Sequence, residues 1–208
     1  MALPLLLALA AAAAHPASLV GSYEGNQMEM AVGLELTADG RFRYGLSYGA
    51  LDEEAAGTWA AEGDHVVLTS DPVTPPRITL VEQKPAAPGQ LSVDLDAPQG
   101  VTHQLFQAVV KTASGDVDGD QLRDDGPLTM AADPKDPPVA IQLVLPMYEL
   151  AGPAILVNAA KGYALRFHFE PNDIGKADLH ATRLTIDKGD LLLDRHGRSI
   201  RFQRSGTP

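Results

Sequence analysis

The stretch MEMAVGLELTADGRFRYGLSY, residues 28 to 48, limits what this chain can fold into more than any other. Met28, Met30, Val32, Leu34 and Leu36 alternate with Glu29, Ala31, Gly33 and Glu35. After Thr37-Ala38-Asp39-Gly40, residues Phe42, Tyr44, Leu46 and Tyr48 alternate with Arg41, Arg43, Gly45 and Ser47. Side chains of a strand point to opposite faces in turn, so period-two patterning on both sides of an Asp-Gly predicts a β-hairpin. One of its faces is apolar and aromatic and the other is charged, which is antiparallel sheet with a single buried face.

The same grammar runs along the chain. Gly57-Thr58-Trp59 and His65 to Thr69 flank a turn at Glu62-Gly63-Asp64, and Arg77 to Val81 and Leu91 to Leu95 give two more strands. Further strands are expected at Gln104 to Lys111, Val139 to Leu145, Ala154 to Asn158 and Tyr163 to Phe169. Two hairpins close the chain: Arg183 to Leu193 around Lys188-Gly189, and the following strand Ser199 to Phe202 after Arg195-His196-Gly197. No segment keeps a helical period over 11 residues or more. The expected fold is all-β, an antiparallel meander barrel or sandwich built as two β modules.

The segments DPVTPP and QKPAAPGQ are rich in proline, which central strands exclude, so the module boundary is expected there. The organisation expected is a first β-meander over residues 21–83, a β-sandwich over residues 90–170, and C-terminal hairpins over 171–208. Those hairpins either follow as a separate piece or return to complete the first module. The two ends also differ in charge. Ser22 to Asp71 holds ten acids against Arg41 and Arg43, whereas Arg183 to the end holds six basic residues against three aspartates. If the two ends share a sheet, that difference favours their pairing.

The N-terminus reads MALPLLLALAAAAAHPASLV. Its apolar run, Ala2 to Ala14, is shorter than the roughly 20 residues a membrane span needs. It has the pattern of a signal peptide over residues 1–14, with cleavage after Ala14. There is no cysteine in the 208 residues, where secreted eukaryotic domains of this size often carry disulfides. A periplasmic or secreted bacterial protein is therefore expected, not membrane-spanning. The net charge of −11 excludes nucleic acid as a partner, because phosphate binding needs clustered Lys and Arg.

Two resemblances follow from these residues. Gly21-Ser22-Tyr23, the L-x-L-x-x-D-G-R-F run at 34 to 42, Gly57-Thr58-Trp59 and Val66 to Ser70 together resemble the opening meander of lipocalin-like small barrels, over about 60 residues. Exported bacterial proteins share that pattern. The resemblance implies a barrel. A lipocalin, however, carries its Gly-x-Trp at the start of the first strand, and here it follows the hairpin. The segment LFQAVVKTASGDVDGDQLRDDGPLTM, with the two strands after it, resembles a transthyretin-like or carboxypeptidase-regulatory-like β-sandwich.

Three groups of residues are candidate sites. In SGDVDGDQLRDDG, residues 114 to 126, a calcium loop starting at Asp116 would find Asp118, Asp120 and Asp124 at the right offsets. Gln121 stands where the sharp turn needs glycine, and Pro127 where the bidentate glutamate belongs. The preferred reading is hairpin turns with aspartates facing water, and Ca²⁺ on Asp116, Asp118, Asp120 and Asp124 is the alternative. In residues 168 to 180, His168 with Glu170 and Asp178 with His180 share faces two residues apart and would suit a transition metal if they met on facing strands. Leu165, Phe167 and Phe169 claim the apolar face, so a solvated polar face is preferred to a metal-dependent hydrolase. Phe42, Tyr44, Tyr48 and Trp59 would line the barrel if it were hollow and carried a small apolar ligand. Otherwise they are core.

No nucleophile elbow, zinc-binding helix motif, phosphate-cradling glycine loop or cysteine is present. The function expected from the sequence is an exported, non-enzymatic binding or interaction protein without a cofactor, whose partner is a small molecule or a protein.

Overall fold

The structure, a computed structural model, describes residues 16–158 and 160–206, so the expected signal segment 1–14 lies outside the described residues. Strand follows strand from β1 (Gly21–Glu24) through β2 (Met30–Leu36), β3 (Arg41–Tyr48), β4 (Leu51–Glu62) and β5 (His65–Ser70), each antiparallel to the next. Next come β6 (Arg77–Pro85), β7 (Gln90–Asp96), β8 (Gln107–Thr112), β9 (Val117–Gln121) and β10 (Leu128–Ala131). Then follow β11 (Pro138–Leu145), β12 (Leu150–Ala151), β13 (Ile155–Leu156) and β14 (Tyr163–Glu170), and the chain ends in β15 (Thr182–Asp187), β16 (Asp190–Arg195) and β17 (Arg198–Arg204). The fold is all-β, and no helix among the described residues is long and apolar enough to cross a membrane.

The chain divides into two compact units. Of the described residues, those up to Pro72 and from Ala177 onwards form one, and Val73–Lys176 forms the other. In the first, β1 to β5 are joined by β15 to β17 into a closed eight-stranded barrel, in the order β1-β17-β16-β15-β5-β4-β3-β2. Closure rests on two pairings between distant parts of the chain, Tyr23 opposite Arg204 and Leu184 opposite Val66. The alternation in β2 and β3 decides which way each side chain faces. Val32, Leu34, Leu36, Phe42, Tyr44 and Leu46 are buried, and their neighbours are exposed or half-buried. Burying an aliphatic or Phe side chain in this way stabilises by about 1.5–3 kcal/mol, which is why register cannot slip by one residue.

The turns carry the expected chemistry. In the β2–β3 hairpin Gly40 takes φ 80°, and its carbonyl accepts the Trp59 N–H at 2.9 Å. Lys188-Gly189 (φ 55° and 96°) and His196-Gly197 (φ 50° and 68°) both put two residues in the left-handed region, as two-residue hairpins of matching twist require.

The second unit packs two sheets face to face. One has the order β10-β7-β14-β6; the other has the order β12-β11-β8-β9, with β13 also on β11. Their inner faces supply one core, including Val93, Leu95, Phe167 and Phe169 from the first sheet and Ile141 and Leu143 from the second. Phe106 meets Phe169 edge-on, centroids 5.0 Å apart, a geometry worth roughly 0.5–1.5 kcal/mol beyond burial. The β7–β14 pair is parallel. The chain reaches β14 only after passing through the whole opposite sheet, so it arrives beside β7 in the same direction.

The boundary falls at Pro72–Val73, in the first of the two proline-rich segments, and not at residue 83; β6 pairs with β14 in the second unit. Where the chain leaves and re-enters the barrel unit, Ser70 Oγ donates to Ala177 O (3.1 Å) and accepts the Leu179 N–H (3.0 Å). In the second unit the Thr74 N–H bonds Asp173 Oδ2 at 2.9 Å, and Asn172 Nδ2 bonds Pro75 O at 2.9 Å. Each unit thus holds its two chain ends side by side.

Candidate functional site

Among the described residues, polar groups gather against apolar surface at two places that bear on function. The first lies in the barrel unit. Glu53 sits on the inward period of β4 with Ala55, Gly57 and Trp59, and Arg195 on the inward period of β16 with Leu191 and Leu193. They meet as a bidentate pair, with Arg195 Nε and Nη2 each 2.9 Å from a Glu53 oxygen. The His196–Gly197 turn brings His196 Nε2 to 3.1 Å from Glu53 Oε2. Only 11% of the Glu53 side chain is exposed. Burial opposes its charge, but the bonds from Arg195 and then from His196 outweigh burial and hold the carboxyl below its ordinary value.

Tyr44 stands beside this group. The Arg195 guanidinium lies against its phenol without a hydrogen bond of ordinary geometry, and the buried hydroxyl has no partner. Burial first, and the Glu53 charge with it, push the phenol up to about 12. Burial penalises the ionised phenol only in the folded state, so stability is level below pH 10 and falls as pH rises from 10 towards 12. The loss reaches about 3 kcal/mol. Tyr44→Phe is therefore expected to raise stability by about 1 kcal/mol at pH 7, since it removes an unsatisfied buried hydroxyl. It should also flatten the alkaline decline, which denaturant melts of both proteins from pH 7 to 12 would measure.

The second place is a cleft of about 250 Å³ in the other unit, between β9 and β10, the edge strands of its two sheets. Leu91, Val110 and Met130 give it apolar surface. Its carboxylates are Asp118 and Asp120 from β9, and Asp133 and Asp136 from the β10–β11 connection. Asp118 is opposite Val110 and Asp120 opposite Ala108, so both carboxylates rise from the core-facing side of their sheet where it runs out of partners. Asp136 accepts the Ser114 N–H and Oγ, each at 2.8 Å, which with Thr112 holds its carboxyl below the usual range.

The four aspartates singled out in the sequence therefore separate. Asp118 and Asp120 line the cleft. Asp116 belongs to the β8–β9 turn, where its carbonyl accepts the Thr112 N–H at 2.9 Å. Asp124 accepts the His103 N–H (2.7 Å) and Gln104 Nε2 (2.9 Å), and so ties down the short 3-10 turn His103–Leu105 that precedes β8. Asp133 and Asp136 were missed, because no local spacing links them to β9.

The other candidates are also placed. His168 pairs with Asp96 at 2.9 Å across the β7–β14 ladder, and Glu170 is exposed at the end of β14. Asp178 and His180 are exposed in the connection before β15, in the barrel unit, so the two pairs do not share facing strands. Phe42, Tyr44 and Trp59 are packed in the barrel core, and Trp59 Nε1 donates to Thr37 O at 3.0 Å. Tyr48 is exposed, with the Arg198 guanidinium 4.9 Å from its ring centroid.

No protein-family model matches the chain, and neither a curated protein nor a solved structure matches it. The closed eight-stranded barrel is compatible with a small β-barrel in the coarse sense.

Proposed function

We propose that the chain is an exported, non-enzymatic binding protein whose ligand is a cation with an apolar body. The observation that carries this reading is the β9–β10 cleft, where carboxylates from two chain segments surround apolar surface. Like charges that line one cleft favour a cation over an anion there. Apolar contact beneath them adds affinity and selects against bare metal ions. The signal-like pattern of residues 1–14 and the absence of a catalytic motif in the sequence support export and binding over chemistry.

The test is calorimetric titration of the full chain with octane-1,8-diamine, suberate and octan-1-ol. The diamine is expected to bind, more weakly as salt rises, and to lose about tenfold in affinity or more in Asp118→Asn with Asp120→Asn. Equal binding of suberate, or none of the diamine, would sink the reading. Export is checked by sequencing the N-terminus of the protein from its native host, and retention of Met1 to Ala14 in the cytosol would defeat it.

A further inference from the structure

The cleft lies against a sheet edge that no further strand covers. The Thr112 N–H bonds Asp116 O, and the Leu122 N–H bonds Phe106 O, both at 2.9 Å. In an antiparallel ladder the bonded residues alternate. Asp116, Asp118, Asp120 and Leu122 therefore turn their main chain towards β8, and Val117, Gly119 and Gln121 turn theirs to the open side. β9 is the last strand of its sheet, and all five of its residues are exposed. The neighbouring edge, β10, is open by the same rule: the Ala132 N–H bonds Gly89 O at 2.7 Å, so Thr129 and Ala131 face outwards.

An open edge is a template for another strand. What decides the kind of strand here is charge. Residues 114 to 136 carry seven aspartates against Arg123 and Lys135. A second copy of β9 would bring like charge against Asp118 and Asp120, so the edge is protected from self-pairing while a basic strand is favoured. Asp118 also holds the key main-chain donor, since its Oδ1 accepts the Gly119 N–H at 2.8 Å. An incoming ammonium group that takes over this carboxylate releases the N–H for the incoming carbonyl.

Resting on the proposed cationic ligand, we infer that the partner is an extended peptide segment with Lys or Arg at alternate positions, which adds to β9 as a further strand. Its main chain pairs with Val117, Gly119 and Gln121. Every second side chain carries its charge to the cleft aspartates.

The test uses the full chain and the peptide acetyl-TKVKVKT-amide, with two controls: acetyl-TEVEVET-amide, and the lysine peptide N-methylated at alternate residues so that one edge cannot pair. The lysine peptide is expected to bind, with the glutamate and N-methylated peptides at least about tenfold weaker. Gly119→Pro should abolish peptide binding, because it removes a main-chain donor from the open edge without touching the β8–β9 ladder. If the N-methylated peptide binds as well as its parent, strand addition is overturned and the cationic cleft stands. Diamine binding without peptide binding overturns strand addition in the same way. If neither the diamine nor the lysine peptide binds, both readings fall.

Discussion

Gly57→Ala is expected to destabilise the barrel unit by about 3 kcal/mol or more, a large value for the gain of one methyl group. Gly57 takes an inward position on β4, opposite Phe42 on β3. A Cβ there would stand 2.0 Å from Thr69 O, 2.7 Å from Ser70 Cα and 2.8 Å from Phe42 Cε1. Two of those three atoms are main chain of β5, so no rotamer change relieves the overlap. β5 would have to move, and with it the β5–β15 pairing that closes the barrel. Gly45→Ala is the matched control: its Cβ meets nothing nearer than Glu53 O at 4.0 Å. Urea denaturation of both variants measures the difference, and equal midpoints would refute this account of the Gly57 contact.

Glu53→Ala is expected to cost about 2–3 kcal/mol at pH 7, because it leaves the Arg195 guanidinium largely buried without its counter-charge. The side chains are 11% and 21% exposed, so solvent screens little of the pair. Removing both charges, as Glu53→Leu with Arg195→Met, is expected to return stability to within about 1 kcal/mol of the parent. The pair also sets an acid dependence. The Glu53 carboxyl lies below 4.5 in the folded chain, so its stabilisation is complete above pH 4.5 and is lost as pH falls through the lower folded value. Melting temperatures of the parent and the double variant should therefore diverge at neutral pH less than either does from Glu53→Ala. Below pH 4.5 the parent should lose more than the double variant. A double variant as unstable as Glu53→Ala would show that packing, not charge, makes the contact matter.

Period-two alternation is a local property, and within the strands it told which side chains are inside: Leu34, Leu36, Phe42 and Leu46 are buried as the pattern requires, whereas Met28 and Tyr48, at the ends of the same pattern, are exposed because the barrel wall stops short of them. Glycine turns were legible for the same reason, since Lys188-Gly189 and His196-Gly197 need only their own φ angles. Proline content was less decisive. DPVTPP divides the units, and QKPAAPGQ only connects β6 to β7 within one sheet. Composition excludes a central strand without saying whether the chain beyond it finds a new core.

The sites divide along the same line. Glu53 could be recognised as an acid on an apolar period, but its partner Arg195 is 142 residues away. The alternation that puts Asp118 and Asp120 on one face is written in β9 itself. Which face that is, and that Asp133 and Asp136 rather than Asp116 and Asp124 stand beside them, depends on two sheets ending at the same edge. Strands, turns and apolar faces could be read from the residues alone, because they follow from torsions and spacing within a few positions. Barrel closure, the parallel β7–β14 pair and both polar sites emerge in the folded chain, because each joins residues far apart in sequence whose meeting is settled by burial of a whole core.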